Sequence, residues 1–145
     1  MFLGSLTKKA FNIEYQQRPE VVQKTQVPTA VIIKGNPAYI ENNKHADKFY
    51  NDLAALVRAK GYAVSFDPGA PHTVPGPADV WIGHSRGNDR LRFAPKQTKT
   101  IAMGLHGTPD AITHPLDRSA VQGDEPTVFH YLLTKEMRDQ LLSRL

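Results

Sequence analysis

Residues 83–87, Gly-His-Ser-Arg-Gly, combine residue types whose spacing permits nucleophilic chemistry. They fit the pattern G-x-S-x-G and fall between an apolar run that predicts a strand and a polar run that predicts a short helix. The glycines relieve crowding in such a turn and lift the serine hydroxyl above the sheet edge. Backbone N–H groups at the helix start can then face a developing oxyanion. The pattern predicts that Ser85 is a nucleophile; the alternative is a glycine-rich turn in which Ser85 only caps the helix.

Two segments resemble parts of a known family. Residues 82–87, Ile-Gly-His-Ser-Arg-Gly, resemble the nucleophile elbow of α/β-hydrolases, particularly the small, lidless serine hydrolases. Residues 32–36, Ile-Ile-Lys-Gly-Asn, are similar to the strand and His-Gly-Asn segment that supplies the family's second oxyanion donor, with Lys34 in place of the usual histidine. The resemblance covers about residues 29–145, and the elbow is its specific part.

The resemblance implies a histidine base in the loop before the final helix or at its start. The family's chain order is Ser, Asp, His, so the base follows the serine. His84 sits inside the elbow, and its side chain is expected to point away from the serine. Of His106, His114 and His130, only His130 matches the family's position for the base. The alternative for His130 is a helix-surface histidine beside Tyr131.

The resemblance also implies an acid and an oxyanion hole. Asp117 is the first choice for the acid and Asp110 the second, although each can equally be a turn residue. The backbone N–H groups of Arg86 and of Asn36 or Gly35 are expected to stabilise the oxyanion.

Two other chemistries are weighed against this one. His106, His114 and Asp117 lack the fixed helical spacing of HExxH, so no metal site is predicted. Arginines near a helix N-terminus favour anion binding, which makes a phosphate- or nucleotide-binding domain at the Arg86 helix end an alternative function. The neutral interpretation of these arginines is a solvated helix face. They are Arg86, Arg90 and Arg92.

Strands and helices alternate around these residues. Strands are predicted at 29–33, 62–66, 79–82 and 99–103, and helices at 44–60, 86–94 and 127–144. This order predicts a three-layer α/β fold, with a mostly parallel four-to-five-stranded sheet and helices on both faces. The resemblance implies that this fold is a reduced, α/β-hydrolase-like one. The most apolar runs, 29–33 and 79–83, are expected at the centre of the sheet. Right-handed crossovers then place Ser85 at the carboxyl ends of the strands.

Composition bounds the remaining classes. The chain has 145 residues, of which 40% are hydrophobic and 22% charged, values typical of one soluble globular domain. The absence of cysteine excludes disulfides and thiol catalysis. No apolar run reaches the roughly 18 residues of a membrane helix, and no signal peptide is evident, so a cytoplasmic location is expected. The 18 basic residues exceed the 14 acidic ones by four but are spread along the chain, which argues against nucleic-acid binding.

Residues 1–27 are glutamine-rich and lack periodicity, which predicts an N-terminal arm that is poorly ordered or binds a partner, including a second copy of the chain. Residues 28–145 are expected to form a single domain. The sequence thus predicts a serine hydrolase that acts on a small ester, thioester or amide without a cofactor. The competing prediction is a non-catalytic α/β binding or assembly module that uses the arm.

Overall fold

A computed structural model describes residues 26–35, 41–70, 73–104, 110–114 and 130–145. Along the chain its elements are β1 (Thr29–Ile33), α1 (Lys44–Ala59), β2 (Ala63–Asp67), β3 (Val80–His84), a 3₁₀ helix (Ser85–Phe93), β4 (Lys99–Met103) and α2 (Lys135–Arg144). Nearly all of the predicted arm, up to residue 25, lies outside the described residues. Within them, no helix is both long enough and apolar enough to cross a membrane.

The four strands form one all-parallel sheet in the order β2-β1-β3-β4. The prediction of an α/β fold with a parallel sheet is confirmed, as is the central position of β1 and β3. Their register pairs Ala30 with Val80 and Ile32 with Ile82. Beyond β4, a parallel bridge between Met103 and Ile112 continues the pairing by one residue.

The two faces of the sheet are covered by different elements. Both α-helices pack on one face, where α1 buries an apolar stripe that includes Phe49 and Leu53 and α2 buries Met137 and Leu141. The other face carries a smaller cluster of Val31, Ile33 and Trp81, covered by the 3₁₀ helix and residues just before β3. The partly buried side chains that pack against this cluster are Ala78, Leu91 and Ala94.

The helix predicted over 127–144 is wrong in part. Residues 131–134 are not helical, and α2 begins at Lys135. Thr134 caps this helix, since its hydroxyl accepts a hydrogen bond from the Met137 amide. The Leu132 carbonyl, which a continuous helix would use internally, instead accepts from His114 across the core. The contact between Leu132 and His114 and the threonine N-cap therefore determine where the helix begins, and the apolar spacing does not.

The short helix predicted over 86–94 forms as the 3₁₀ helix. Glycine and asparagine in its first turn have low helix propensity, and the proline at 95 prevents continuation. The tighter 3₁₀ turn brings Gly87 against the end of β1 and so shapes the region around Ser85.

Candidate active site

Ser85 follows β3 directly and begins the 3₁₀ helix with a backbone φ of 56°. This left-handed conformation costs serine roughly 1–2 kcal/mol. The other non-glycine residue with positive φ in the described part is Asn42, a residue type that tolerates it. Strain of this kind is concentrated at functional sites in proteins.

Glycine is required on both sides of Ser85 by close backbone packing. A Cβ on Gly87 would collide with the carbonyl oxygen of Ile33 and lie 2.7 Å from that of Lys34. A Cβ on Gly83 would lie 3.0 Å from the Cα of Asn88. The turn is therefore built around the absence of these two side chains.

Ser85 lies where the strand order reverses, since β2 lies on one side of β1 and β3 on the other. Ligands of open α/β sheets bind in the crevice at this point. A Cβ on Gly35, after β1, would lie 3.6 Å from the Ser85 Cβ, and one on Gly104, after β4, would lie 3.0 Å from the Ser85 amide nitrogen. Three strand ends therefore meet at this serine, which is 8% exposed.

A chain of hydrogen bonds runs through the core beneath the serine. The Gly35 N–H donates to the Tyr50 hydroxyl at 3.0 Å, and that hydroxyl lies 2.9 Å from His84 Nδ1. His84 Nε2 lies 3.1 Å from His114 Nε2, and His114 Nδ1 lies 3.1 Å from the Leu132 carbonyl oxygen. The chain thus joins the end of β1 to the segment before α2.

The last acceptor fixes the direction of every hydrogen bond in this chain. A carbonyl oxygen only accepts, so His114 Nδ1 carries a hydrogen and Nε2 of the neutral ring is an acceptor. His84 Nε2 must then donate to it, which leaves His84 Nδ1 to accept from the Tyr50 hydroxyl. Two neutral imidazoles in opposite tautomers satisfy all contacts.

The environment favours these neutral forms. Burial, and then the repulsion from a charged His114 or His130, holds the pKa of His84 well below its usual value. Burial, and then His130, lowers the pKa of His114 to about 4. Burial raises the pKa of Tyr50, so its hydroxyl stays protonated and can donate.

His130 packs beside this chain. Its ring centroid lies 5.1 Å from that of His84 and 5.4 Å from that of His114. Tyr131 contacts both the His130 and the His84 rings. The structure therefore groups the predicted base with the residue that precedes Ser85.

The predicted oxyanion donors have different surroundings. Arg86 follows Ser85 with an exposed side chain at the start of the 3₁₀ helix. The Gly35 amide is engaged by Tyr50, whereas Asn36 lies outside the described residues. Lys34, for which the resemblance suggested correspondence to a histidine, places its ammonium 4.7 Å from the Phe66 ring centroid and 5.4 Å from that of Tyr50.

Only one of the two candidate acids, Asp110, lies within the described residues. Asp117 lies outside them. Asp110 lines a cavity of about 500 Å³ beside β4 together with Arg92, Arg144 and others, and neither Ser85 nor His130 lines it. The backbone carbonyl of Asp110 accepts from Arg144 Nη1 at 2.7 Å.

Two of the three arginines considered for anion binding, Arg90 and Arg92, contact groups of the protein itself. Arg90 donates to the carbonyl oxygens of Thr73 at 3.2 Å and Ala70 at 2.6 Å, which holds the loop after β2. The Arg92 guanidinium carbon lies 4.9 Å from the centroid of the Phe93 ring. Arg90 therefore acts as a structural clamp.

The sequence predicted no metal site. Of the three side chains considered as ligands, the structure describes only His114. His106 and Asp117 lie outside the described residues. Among those that are described, no group of three or more histidine, aspartate or glutamate side chains is arranged to hold a metal ion.

The Tyr50–His84–His114 chain is the feature that sequence reasoning missed. Tyr50 lies on the apolar stripe of α1, and His84, which the sequence placed in the elbow, ends a fully buried strand. A buried hydroxyl and a buried imidazole each need a polar partner, so their burial was a signal that they pair.

The sheet and its turn define an α/β protein with a strained serine at the point where the strand order reverses. No family model, curated protein or solved structure matches this chain.

Proposed function

We propose that this chain is a serine hydrolase of the α/β-hydrolase type, in which Ser85 attacks the carbonyl of a small ester, thioester or amide. The left-handed backbone of Ser85 carries the proposal. A serine that only caps a helix has an extended backbone and does not need this strained conformation. The close-packed Gly83 and Gly87, and the location at the strand-order reversal, support the same function.

His130 is the proposed base. Ser85 Oγ bonds to the substrate carbonyl carbon, and the π electrons of that carbonyl move to its oxygen to give a tetrahedral oxyanion. The proton of Ser85 passes at the same time to an imidazole nitrogen of His130, which Asp117 orients. The oxyanion then re-forms the carbonyl as the bond between its carbon and the leaving group breaks, and His130 gives its proton to that leaving group. Water repeats both steps to release the acid and restore the serine.

His84 and His114 are poor candidates for the base. The acceptor nitrogen of His84 is occupied by Tyr50, and that of His114 by His84. Each ring would have to break a buried hydrogen bond to take a proton from Ser85, and burial disfavours its charged form.

The oxyanion hole of the proposed enzyme uses the backbone N–H groups of Arg86 and of Asn36 or Gly35. Because the Tyr50 hydroxyl already accepts from Gly35, a role for Gly35 requires that its amide exchange partners when substrate arrives.

A non-catalytic α/β binding module is the second candidate. The observation that favours it is the low exposure of Ser85, 8%, together with the engaged Gly35 amide. In that case the strained turn only shapes a binding crevice.

A fluorophosphonate probe separates the two candidates because it reacts with activated serines. We expect mass spectrometry of the labelled chain to find the probe on Ser85, and labelling to disappear in Ser85→Ala. Ser143→Ala removes an exposed hydroxyl on α2 and should label like the wild type. Absence of labelling in a wild-type chain with a native circular dichroism spectrum would reject the hydrolase.

A further inference from the structure

The hydrogen-bond chain from Gly35 to Leu132 touches the serine turn at two points. Its first donor, the Gly35 amide, belongs to the residue whose Cβ position is 3.6 Å from the Ser85 Cβ. Its middle member, His84, is the residue that precedes Ser85. The chain therefore contacts both strands that form the crevice, β1 and β3.

We propose that Tyr50, His84 and His114 are positioning residues that hold the carboxyl end of β1 in register with Ser85. The effect on catalysis rests on the proposed hydrolase function, whereas the positioning itself does not. The three side chains act through Gly35 and the Ser85 backbone and leave the reacting atoms to other groups.

The hydrogen bonds of this chain have one direction of donation, and this direction couples its two ends. With neutral rings, only one arrangement of hydrogens satisfies all four contacts, because the chain ends on a carbonyl oxygen. The Tyr50 hydroxyl then donates its hydrogen to His84 Nδ1 and accepts the Gly35 N–H through a lone pair. The location of the Gly35 amide is thus coupled through three buried side chains to the segment before α2.

The surroundings of the chain keep its hydrogens in place. His130 and Tyr131 face the His84 ring, and His130 also faces His114. The Lys34 ammonium lies on the Tyr50 side, 5.4 Å from that ring's centroid. A proton taken by His130 would repel a second proton on either buried imidazole. Protonation of His130 therefore leaves His84 and His114 neutral.

The tautomers are the first test. In the full chain with ¹⁵N-labelled histidine near neutral pH, nitrogen chemical shifts should show hydrogen on Nδ1 of His114 and on Nε2 of His84. The opposite tautomer at either ring would overturn the inference. This measurement uses the wild-type protein and does not depend on a variant that folds.

Removal of one hydroxyl is the second test. Tyr50→Phe keeps the ring but leaves the Gly35 amide without its acceptor, so we expect at least about tenfold faster hydrogen exchange at Gly35. Misplacement of an active-site backbone also slows chemistry, so labelling of Ser85 by the fluorophosphonate should slow at least about tenfold. Tyr62→Phe is the matched control, because its hydroxyl donates to the Leu145 carbonyl away from this site. It should change neither rate.

The two proposals fail in different ways. Wild-type rates of both exchange and labelling in Tyr50→Phe would overturn the positioning role. Failure of the wild type to label, with the expected tautomers and faster Gly35 exchange in Tyr50→Phe, would reject only the hydrolase and support the positioning of β1.

Discussion

The face of the sheet that packs on α1 and α2 buries a polar network, whereas the opposite face buries Trp81 and two side chains of β1. The first face supplies titratable groups beneath the serine, and the second supplies close backbone packing between the 3₁₀ helix and β1. The chemistry and the shape of the candidate site therefore come from different sides of one sheet. Changes on each side should have separable effects.

The largest effect is expected from Trp81→Ala. Trp81 is 1% exposed and is the largest side chain of its small cluster, and its indole also donates to the Gly76 carbonyl. We expect a loss of about 3–5 kcal/mol in the free energy of unfolding, measured by urea denaturation. Hydrogen exchange should accelerate first in the 3₁₀ helix. Leu53→Ala, on the α-helical face, is the control and should spare that helix; equal loosening of both faces would contradict the division.

Acidification should lower the free energy of unfolding through His114, which lies on the face of the sheet that α1 and α2 cover. The folded-state pKa of His114 is about 4 against 6.5 for the ordinary residue, so the unfolded chain binds this proton first as pH falls. The contribution of His114 is complete above about pH 6.5 and is lost as pH falls towards 4, a total of about 3 kcal/mol.

The measurement is the difference in unfolding free energy between wild type and His114→Asn, followed from pH 7 to 4. The wild type should lose about 3 kcal/mol more than the variant. His45→Asn, at an exposed position on α1, should behave like the wild type. Parallel pH curves for wild type and His114→Asn would refute the buried neutral state.

The smallest effect is expected at the serine itself. Ser85→Gly relieves the left-handed backbone and should stabilise the fold by about 1 kcal/mol, while labelling by the fluorophosphonate is abolished. The same substitution at Ser65, in the extended strand β2, should destabilise by about 0.5–1 kcal/mol. Thermal denaturation of both variants checks the opposite signs. A destabilised Ser85→Gly would mean that the hydroxyl contributes more than the strain costs.

Local patterns were enough to predict the sheet. The β-branched run of β1 and the apolar run of β3 identify strands buried on both faces, and their burial places them at the centre. The G-x-S-x-G spacing also identifies the turn that carries the strained serine. These features depend on residues adjacent in sequence.

Partners distant in sequence determine the features that were not predicted. The Tyr50 hydroxyl pairs with a histidine 34 positions away, and His114 pairs with the Leu132 carbonyl 18 positions away. Neither separation leaves a periodic signal. The same contact at Leu132 explains why the last helix begins later than its apolar spacing indicated.

The carbonyl oxygen of Lys34 restricts how this sequence can vary over evolution. A Cβ on Gly69 would collide with it, and one on Gly87 would lie 2.7 Å from it, so neither position can accept even alanine without displacing β1. The Lys34 side chain carries no such restriction, because it lies half-exposed over the Phe66 ring. Homologous chains should therefore keep glycine at positions 69 and 87, around the residue 34 carbonyl, while Gly76, whose Cβ would meet no atom within 4 Å, accumulates substitutions.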